Sequence, residues 1–460
     1  MSSSTLPDLR TTEVFSRIKG RIITPNDPAY DDTRAVFYGG IDMRPAAVVC
    51  AADAEDVRQT VLIAKNAGLE LAVRSGGHSI MGHCTTDGGI VLDLRAMSGI
   101  DIDVNAHTAW AETGLSALAF TEAVAKHGMI VGFGDSGSVG IGGLTLGGGV
   151  GYLSRKFGLT IDSILAAEVV TADGRLLHAD ADEHPDLFWA IRGGGGNFGI
   201  VTRLKFRLHE LPHFTGGMLV LPATAETIAG FVAAAEAAPD ELSSIGNVMP
   251  APPMPMFPKE IHGKLVLFAM LAYAGDDQSA TAAIAPFRAL ATPLVDMVKP
   301  MPYAGLYPPE DHSMHPTAVS RTMFVDTIDL AAAETIMRFL SSSDAPMRVA
   351  QLRVLGGAVA RVPADATAYA FRSDAMVVNV AAFYDGAENR SARLSWVREF
   401  AKTLQPEEAG AYVNFLSDDG KARIRAAYPG ATWDRLTRVK ATYDPTNFFR
   451  RNHNVPPAVR

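Results

Sequence analysis

Along the first two hundred or so positions, apolar residues fall in short runs broken by glycine and turn residues, the pattern of strands rather than of long helices. The run 46–51 predicts a strand. An amphipathic helix over 53–67 follows it, with Asp53 as N-cap and Gly68 just past its end. Further strands are predicted at 69–73, 90–94 and 109–113, and a helix at 116–127 stopped by Gly128. The stretch 132–151 is so rich in glycine that it forms no core of its own. A hairpin is predicted from 164–171 and 175–178 around Asp173-Gly174, since an Asp-Gly pair supplies the positive φ that tight hairpin turns need. A short helix at Pro185–Ile191 precedes an alternating strand at 199–208, with Val201, Leu204, Phe206 and Leu208 on its apolar side.

Beyond about Leu211 the texture changes. Alanine-rich helices (224–237, 278–291, 330–341, 392–404) alternate with long strands (264–274, 349–355, 376–383), and proline clusters at 250–258 and 300–309 predict loops. The last forty residues return to a tight, motif-like character. The expectation is an α+β chain of two domains: residues 1–210, an inserted unit over 211–420, and a tail, 421–460, that rejoins the first domain.

Composition narrows the function. The chain has 460 residues, 48% of them apolar and 20% charged, with a formal net charge of −9. An acidic surface argues against nucleic-acid or anionic-membrane partners. Cys50 and Cys84 are the only cysteines, too few for a disulfide framework. No run approaches transmembrane length and the N-terminus carries no export-signal pattern, so a cytoplasmic protein is expected, of unspecified oligomeric state.

Three motifs invite other readings. Gly132–Gly137 and Gly194–Gly199 both satisfy G-x-G-x-x-G. A dinucleotide turn must open a helix, and neither is followed by a clear one in sequence. Gly77-His78-Ser79 resembles the start of a hydrolase nucleophile elbow, but Met81 stands where that turn requires glycine. His78, His83 and Cys84 lack a second ligand cluster, so no metal site is expected.

The stretch with the most chemistry is Arg74-Ser75-Gly76-Gly77-His78, directly after a predicted strand. Glycines let backbone N–H groups approach a phosphate closely, and a nearby arginine is a counter-charge. Four more segments belong with it: 86–94, 140–162, 186–201 and 443–457. In order and spacing, the five together resemble the FAD-linked oxidases of the vanillyl-alcohol oxidase and berberine bridge enzyme type, especially bacterial members such as hydroxynicotine and secondary-metabolite oxidases. The resemblance implies the PCMH-type FAD-binding fold, with an antiparallel sheet plus helices as substrate domain.

The resemblance also implies the cofactor contacts. One group is the loop Arg74, Ser75, Gly76, Gly77, His78, Ser79, with Gly82 and His83. A second comprises Ser136, Ser138, Gly142, Gly143, Gly148, Gly149, Gly151 and Tyr152. The remainder are Gly199, Ile200, Val201, and the tail asparagines Asn452 and Asn454, whose amides suit the polar edge of a flavin. It further implies a bond from the His78 imidazole to the flavin 8α carbon. Relatives often carry a second, cysteinyl link. Ser136 stands at that place here, and a hydroxyl cannot replace a thiolate, so a single link is expected.

The implied reaction is hydride transfer from a small alcohol, amine or hydroxylated aromatic to FAD, with dioxygen as acceptor and hydrogen peroxide as product. Candidate catalytic residues are two pairs spaced by two on predicted strands, Gln351 with Arg353 and Tyr412 with Asn414. Tyr412 serves as base if a cation such as Arg353 stabilises its phenolate. Tyr369 and Arg372 are weaker candidates. Phe257, Phe268, Tyr303 and Tyr307 are expected to line an apolar or aromatic substrate pocket. A dehydrogenase with another acceptor, an oxidase catalysing oxidative cyclisation, a nicotinamide-dependent reductase and a non-catalytic flavin-binding protein remain as alternatives.

Overall fold

The computed structural model describes residues 15–255, 257–308, 314–407, 410–417 and 420–459. Position 309 of the second proline cluster, position 256 of the first, and residues 1–14, on which the reading of the N-terminus partly rests, lie outside them.

Two small sheets build the first part of the chain. In one, Ala47–Cys50, Ile90–Asp93 and Leu71–Arg74 run parallel, and Arg21–Ile23 adds an antiparallel edge. Parallel strands are buried on both faces, which is why these segments read as nearly continuous apolar runs. Helix Ala54–Asn66 covers them, and Asp53 caps it by accepting from the N–H groups of Glu55 and Asp56. The other sheet is antiparallel and five-stranded, with Ile200–Arg207 between Thr108–Glu112 and Ile164–Val170. The hairpin at Asp173-Gly174 closes its edge, with Gly174 at φ +80°.

Beyond residue 211 stands an eight-stranded sheet whose pairings are all antiparallel. Its central order is Thr215–Pro222, Leu265–Tyr273, Leu242–Pro250, Arg348–Val354, Met376–Phe383, Ala318–Val325. Helices Ala225–Ala237, Asp277–Arg288, Leu330–Ser342 and Arg390–Leu404 pack on one face. Ala350, Leu352, Val378 and Val380 point into that helix-covered core, so their strand neighbours must face the other way.

Four differences from expectation have physical reasons. Strands Thr215–Pro222 and Leu242–Pro250 were not foreseen, because glycine, serine and proline dilute their apolar signal. Pairing on both sides overrides that weak local preference. A helix at Ile141–Gly147 does follow the first glycine motif, despite three internal glycines. Charge-rich helices Gly420–Ala427 and Ala431–Tyr443 occupy the tail. Finally, 411–415 is not a strand. Tyr412 is extended and Val413–Phe415 forms a 3₁₀ turn.

After Ala431–Tyr443 the chain returns to the first sheets. Asn197 donates to the His453 carbonyl and accepts from the Val455 N–H, and Arg451 Nε donates to the Thr85 carbonyl at 2.9 Å.

Candidate active site

Between the small sheets and the uncovered face of the large one lies a cavity of about 610 Å³. A cleft of this size, mostly apolar with a few convergent polar groups, is how small-molecule sites are built.

One wall is made of backbone. Ser75, Gly76, Gly77, His78 and Ser79 follow strand Leu71–Arg74 into the cavity, and Gly140, Gly142, Gly143 and 194–197 meet them there. Ser75 Oγ donates to the Thr113 carbonyl at 2.5 Å. Gly76 packs so tightly that a Cβ would stand 2.1 Å from the Gly140 nitrogen. At Gly143 and Gly196 a Cβ would meet nothing within 4 Å, so both offer bare backbone to the open space.

His78 is held from two sides. Its Nε2 pairs with Ser138 Oγ at 2.7 Å, and its ring stacks on Phe37 with centroids 4.2 Å apart. Ser136 also lines the cavity. At the other end, Asn452 Nδ2 donates to the carbonyls of Gly196 and Phe449, which leaves its buried Oδ1 without a partner. His83 and His453 meet edge to face at 4.7 Å. Burial lowers both, His83 to a pKa of about 3 and His453 to about 4, so both rings are neutral at pH 7.

The opposite wall is made of side chains on alternate strand positions. Val349, Gln351 and Arg353 project from one strand, Asn379, Ala381 and Phe383 from the next, and Ala318 and Ser320 from the third. Arg353 is 3% exposed. It pairs with Asp135 at 2.5 Å, donates to Gln351 Oε1, and lies over the Phe415 ring at 4.9 Å. Gln351 in turn donates to Asn247 at 2.9 Å. Asn379, in register with Gln351, keeps a buried Oδ1 unpartnered.

Although 412–414 is not a strand, Tyr412 and Asn414 do meet, with Asn414 Nδ2 donating to the tyrosine oxygen at 2.9 Å. The N–H groups of Gly149 and Val150 donate to the same oxygen at 2.9 and 3.2 Å. Three donors and Arg353 favour the phenolate, but burial is the larger effect and pushes the phenol above its ordinary value. At neutral pH Tyr412 is therefore a neutral phenol at the cavity wall.

Several expected residues stand elsewhere. Arg74 is not a phosphate counter-charge. It is 1% exposed, donates to the carbonyls of Thr33, Arg34 and Cys84, and stands 3.7 Å from Asp93. Gly148, Gly149 and Gly151 shape the turn behind the wall, and at Gly151 a Cβ would reach 1.6 Å from the Phe133 carbonyl. Gly82, Ser138 and Asn454 also lie off the cavity surface, whereas Ser79, His83, Gly199, Ile200 and Val201 are on it. Tyr152 packs with Phe214, Tyr303 and Tyr307, and Phe257 and Phe268 sit in another cluster, so none of these six aromatics lines the cavity. Phe37, Tyr38, Phe383 and Phe415 do so instead. Arg372 is bound to Asp162 by two 2.8 Å bonds, and Tyr369 packs on Tyr412 from behind.

Asp135 and Asn379 were missed. Asn379 had a signal, a lone amide inside the apolar run Met376–Phe383. Asp135 had none, because its partner lies 218 positions away. Among the described residues no cluster of three or more histidines, cysteines or carboxylates could hold a metal. The donor set does fit a flavin dinucleotide: bare glycine backbone for phosphates, and the unpartnered acceptor of Asn452 for the single N–H of the flavin's pyrimidine edge.

Comparison with known proteins agrees. Residues 45–180 match the FAD binding domain family and residues 411–456 the berberine and berberine-like family. The chain is 32% identical to (R)-6-hydroxynicotine oxidase of Paenarthrobacter nicotinovorans, over 96% of this chain and 97% of that one. It is 30% identical to the FAD-linked oxidoreductase YvdP of Bacillus subtilis, over 96% and 99%. The crystal structure of 6-hydroxy-D-nicotine oxidase from Arthrobacter nicotinovorans superposes with a TM-score of 0.84 at 28% identity, covering 96% of this chain and 98% of that one.

Proposed function

The chain belongs to the FAD-linked oxidoreductases of the vanillyl-alcohol oxidase and berberine bridge enzyme-like family, and from that premise we propose an oxidase acting on a neutral small organic molecule. When bound, FAD supplies the hydride acceptor and the site of reoxidation by dioxygen, with hydrogen peroxide as product. The cofactor is held by the backbone of 75–79, 140–143 and 194–197 and by Asn452, and is linked once, through His78. Support for a single link comes from Ser136, a hydroxyl at the cavity wall where a thiolate would be needed. The cofactor half is 1–210 with 421–460, and the substrate half is 211–420. The two free cysteines are compatible with a reducing, cytoplasmic setting.

The observation that carries this reading is the convergence on one cavity of His78, the glycine backbone, Asn452, and the polar row Gln351–Arg353. A neutral substrate is favoured because Arg353 is already neutralised by Asp135. The other lining arginine, Arg451, stands 3.8 Å from Glu70 and donates to backbone carbonyls. Phe37, Tyr38, Phe383 and Phe415 offer aromatic faces, and Gln351 and Asn379 offer neutral hydrogen bonds. An alcohol, an amine in its uncharged form or a hydroxylated aromatic meets these demands. Tyr412, as a neutral phenol fed by three N–H donors, has its own proton to offer to whatever is bound.

A panel of such compounds, scored for peroxide and oxygen uptake, tests the reading. Flavin reduction without oxygen uptake would make the protein a dehydrogenase. No reduction by any compound, neutral or charged, would make it a flavin-binding protein only.

A further inference from the structure

The least expected charges in the molecule are two that never reach the cavity. Lys440 and Asp444, at the end of helix Ala431–Tyr443, form an ion pair at 2.7 Å with both side chains at 0% exposure. A buried ammonium is tolerated only when its protons are met. Here Lys440 Nζ donates to Asp444 Oδ2 at 2.7 Å, to the Asn197 carbonyl at 2.7 Å and to the Phe449 carbonyl at 2.8 Å. Asp444 then accepts from the backbone N–H groups of Phe448 and Phe449, each at 2.8 Å. Asn197 completes the junction, accepting from Val455 N–H and donating to the carbonyls of Gly194 and His453.

The two segments joined in this way, 194–197 and 448–455, both contribute to the cavity wall, while Lys440 and Asp444 do not touch it. Between the anchored points Phe449 and His453 lies Asn452. Its amide nitrogen is tied to Gly196 and Phe449, members of the same two segments. Its free acceptor is therefore aimed by a junction whose ammonium, that of Lys440, is buried behind the wall.

We propose that Lys440 is a positioning residue for the flavin. Acting through Asn197 and Phe449, it fixes Asn452 Oδ1 against the pyrimidine edge and so tunes the reduction potential. This rests on the FAD reading above. Hydrogen bonds to the ring are a lever by which a protein sets flavin electronics.

The test uses the full-length holoenzyme and three variants, Lys440→Met, Asn452→Ala and the double variant, with the flavin midpoint potential as readout. Lys440→Met is expected to shift the two-electron equilibrium about tenfold, ~30 mV. Because Lys440 acts through Asn452, the double variant should match Asn452→Ala alone. Unchanged potential in Lys440→Met, or additive shifts, overturns the proposal. Where Lys440→Met leaves Asp444 uncompensated and does not fold, Lys440→Met with Asp444→Asn removes both charges and is measured in its place. The unaltered holoenzyme supplies an arm without variants. The N–H groups of Phe448, Phe449 and Val455 should be the slowest of the tail to exchange with deuterium, and fast exchange there overturns the clamp. Wild-type protein that holds no flavin sinks the FAD reading itself, an outcome separate from either of these.

Discussion

The two walls of the cavity are built by opposite means. On the cofactor side, 75–79, 140–143 and 194–197 bring backbone to the surface, and their side chains are absent or turned to other work. On the other side, a regular sheet presents one side chain in every two, and its central polar pair is locked by neighbours: Gln351 by Asn247, Arg353 by Asp135 and Gln351. The first wall is specified by where side chains must be missing, the second by which side chain stands at each position. Substitutions should therefore separate cofactor binding from substrate oxidation.

The largest effect is expected at Gly76. A methyl group there would stand 2.1 Å from the Gly140 nitrogen and push two loops apart. Gly76→Ala should abolish flavin binding, read as loss of the visible spectrum. Gly143→Ala is the companion, since a Cβ there meets no protein atom within 4 Å. It should keep the wild-type melting temperature in protein stripped of or expressed without flavin, yet lose flavin occupancy. Wild-type flavin occupancy in either variant would refute a backbone-built cofactor wall.

Next comes Arg353. Arg353→Met leaves Asp135 without its partner at the substrate wall. Anaerobic flavin reduction should slow about a hundredfold, ~2.7 kcal/mol in the barrier, with flavin content unchanged. Loss of flavin in parallel would erase the distinction between the walls. Tyr412→Phe should be milder, about tenfold in reduction with reoxidation unaffected. Burial raises this phenol above its ordinary value, so the neutral form predominates and the small charged fraction keeps rising with pH without levelling off. If Tyr412 must ionise to act, the reduction rate of the wild type should climb throughout pH 7–10. A plateau within that range assigns the base to another group.

A separate effect concerns stability. His83 and His453 have folded pKa values of about 3 and 4, below the unfolded value near 6.5. The unfolded chain binds more protons between these limits, so stability is full above pH 6.5 and falls as pH drops towards 4. Each ring contributes at most about 1.4 kcal/mol per pH unit. Denaturant midpoints from pH 7 to 4 should decline, and His83→Asn should flatten the slope.

These walls were not equally legible. The glycine loops of the first wall were visible in the sequence because missing side chains leave a compositional mark, glycine after glycine in fixed order. Arg74 shows the limit of that reading: a charge beside a phosphate-type loop is as easily used to hold carbonyls as to meet a ligand. On the substrate wall, strand alternation placed Gln351 and Arg353 on one face, as the structure has them. Asp135 could not be seen, since its pairing with Arg353 exists only after folding. Aromatic content likewise did not locate the pocket, because Tyr303 and Tyr307 serve packing while Phe383 and Phe415 serve the cavity. Lys440 was invisible for the same reason, a charge on a charge-rich helix that turns out to be the buried one.

The central claim is a flavin fixed to the cofactor wall through His78 alone. Acid precipitation of the wild-type protein and of His78→Ala, followed by peptide mass spectrometry, tests it directly. The account predicts yellow wild-type precipitate, one flavin-bearing peptide containing His78, and colourless His78→Ala precipitate with its flavin in the supernatant. Free flavin from the wild type, or a second peptide cross-linked to the same flavin, would contradict it.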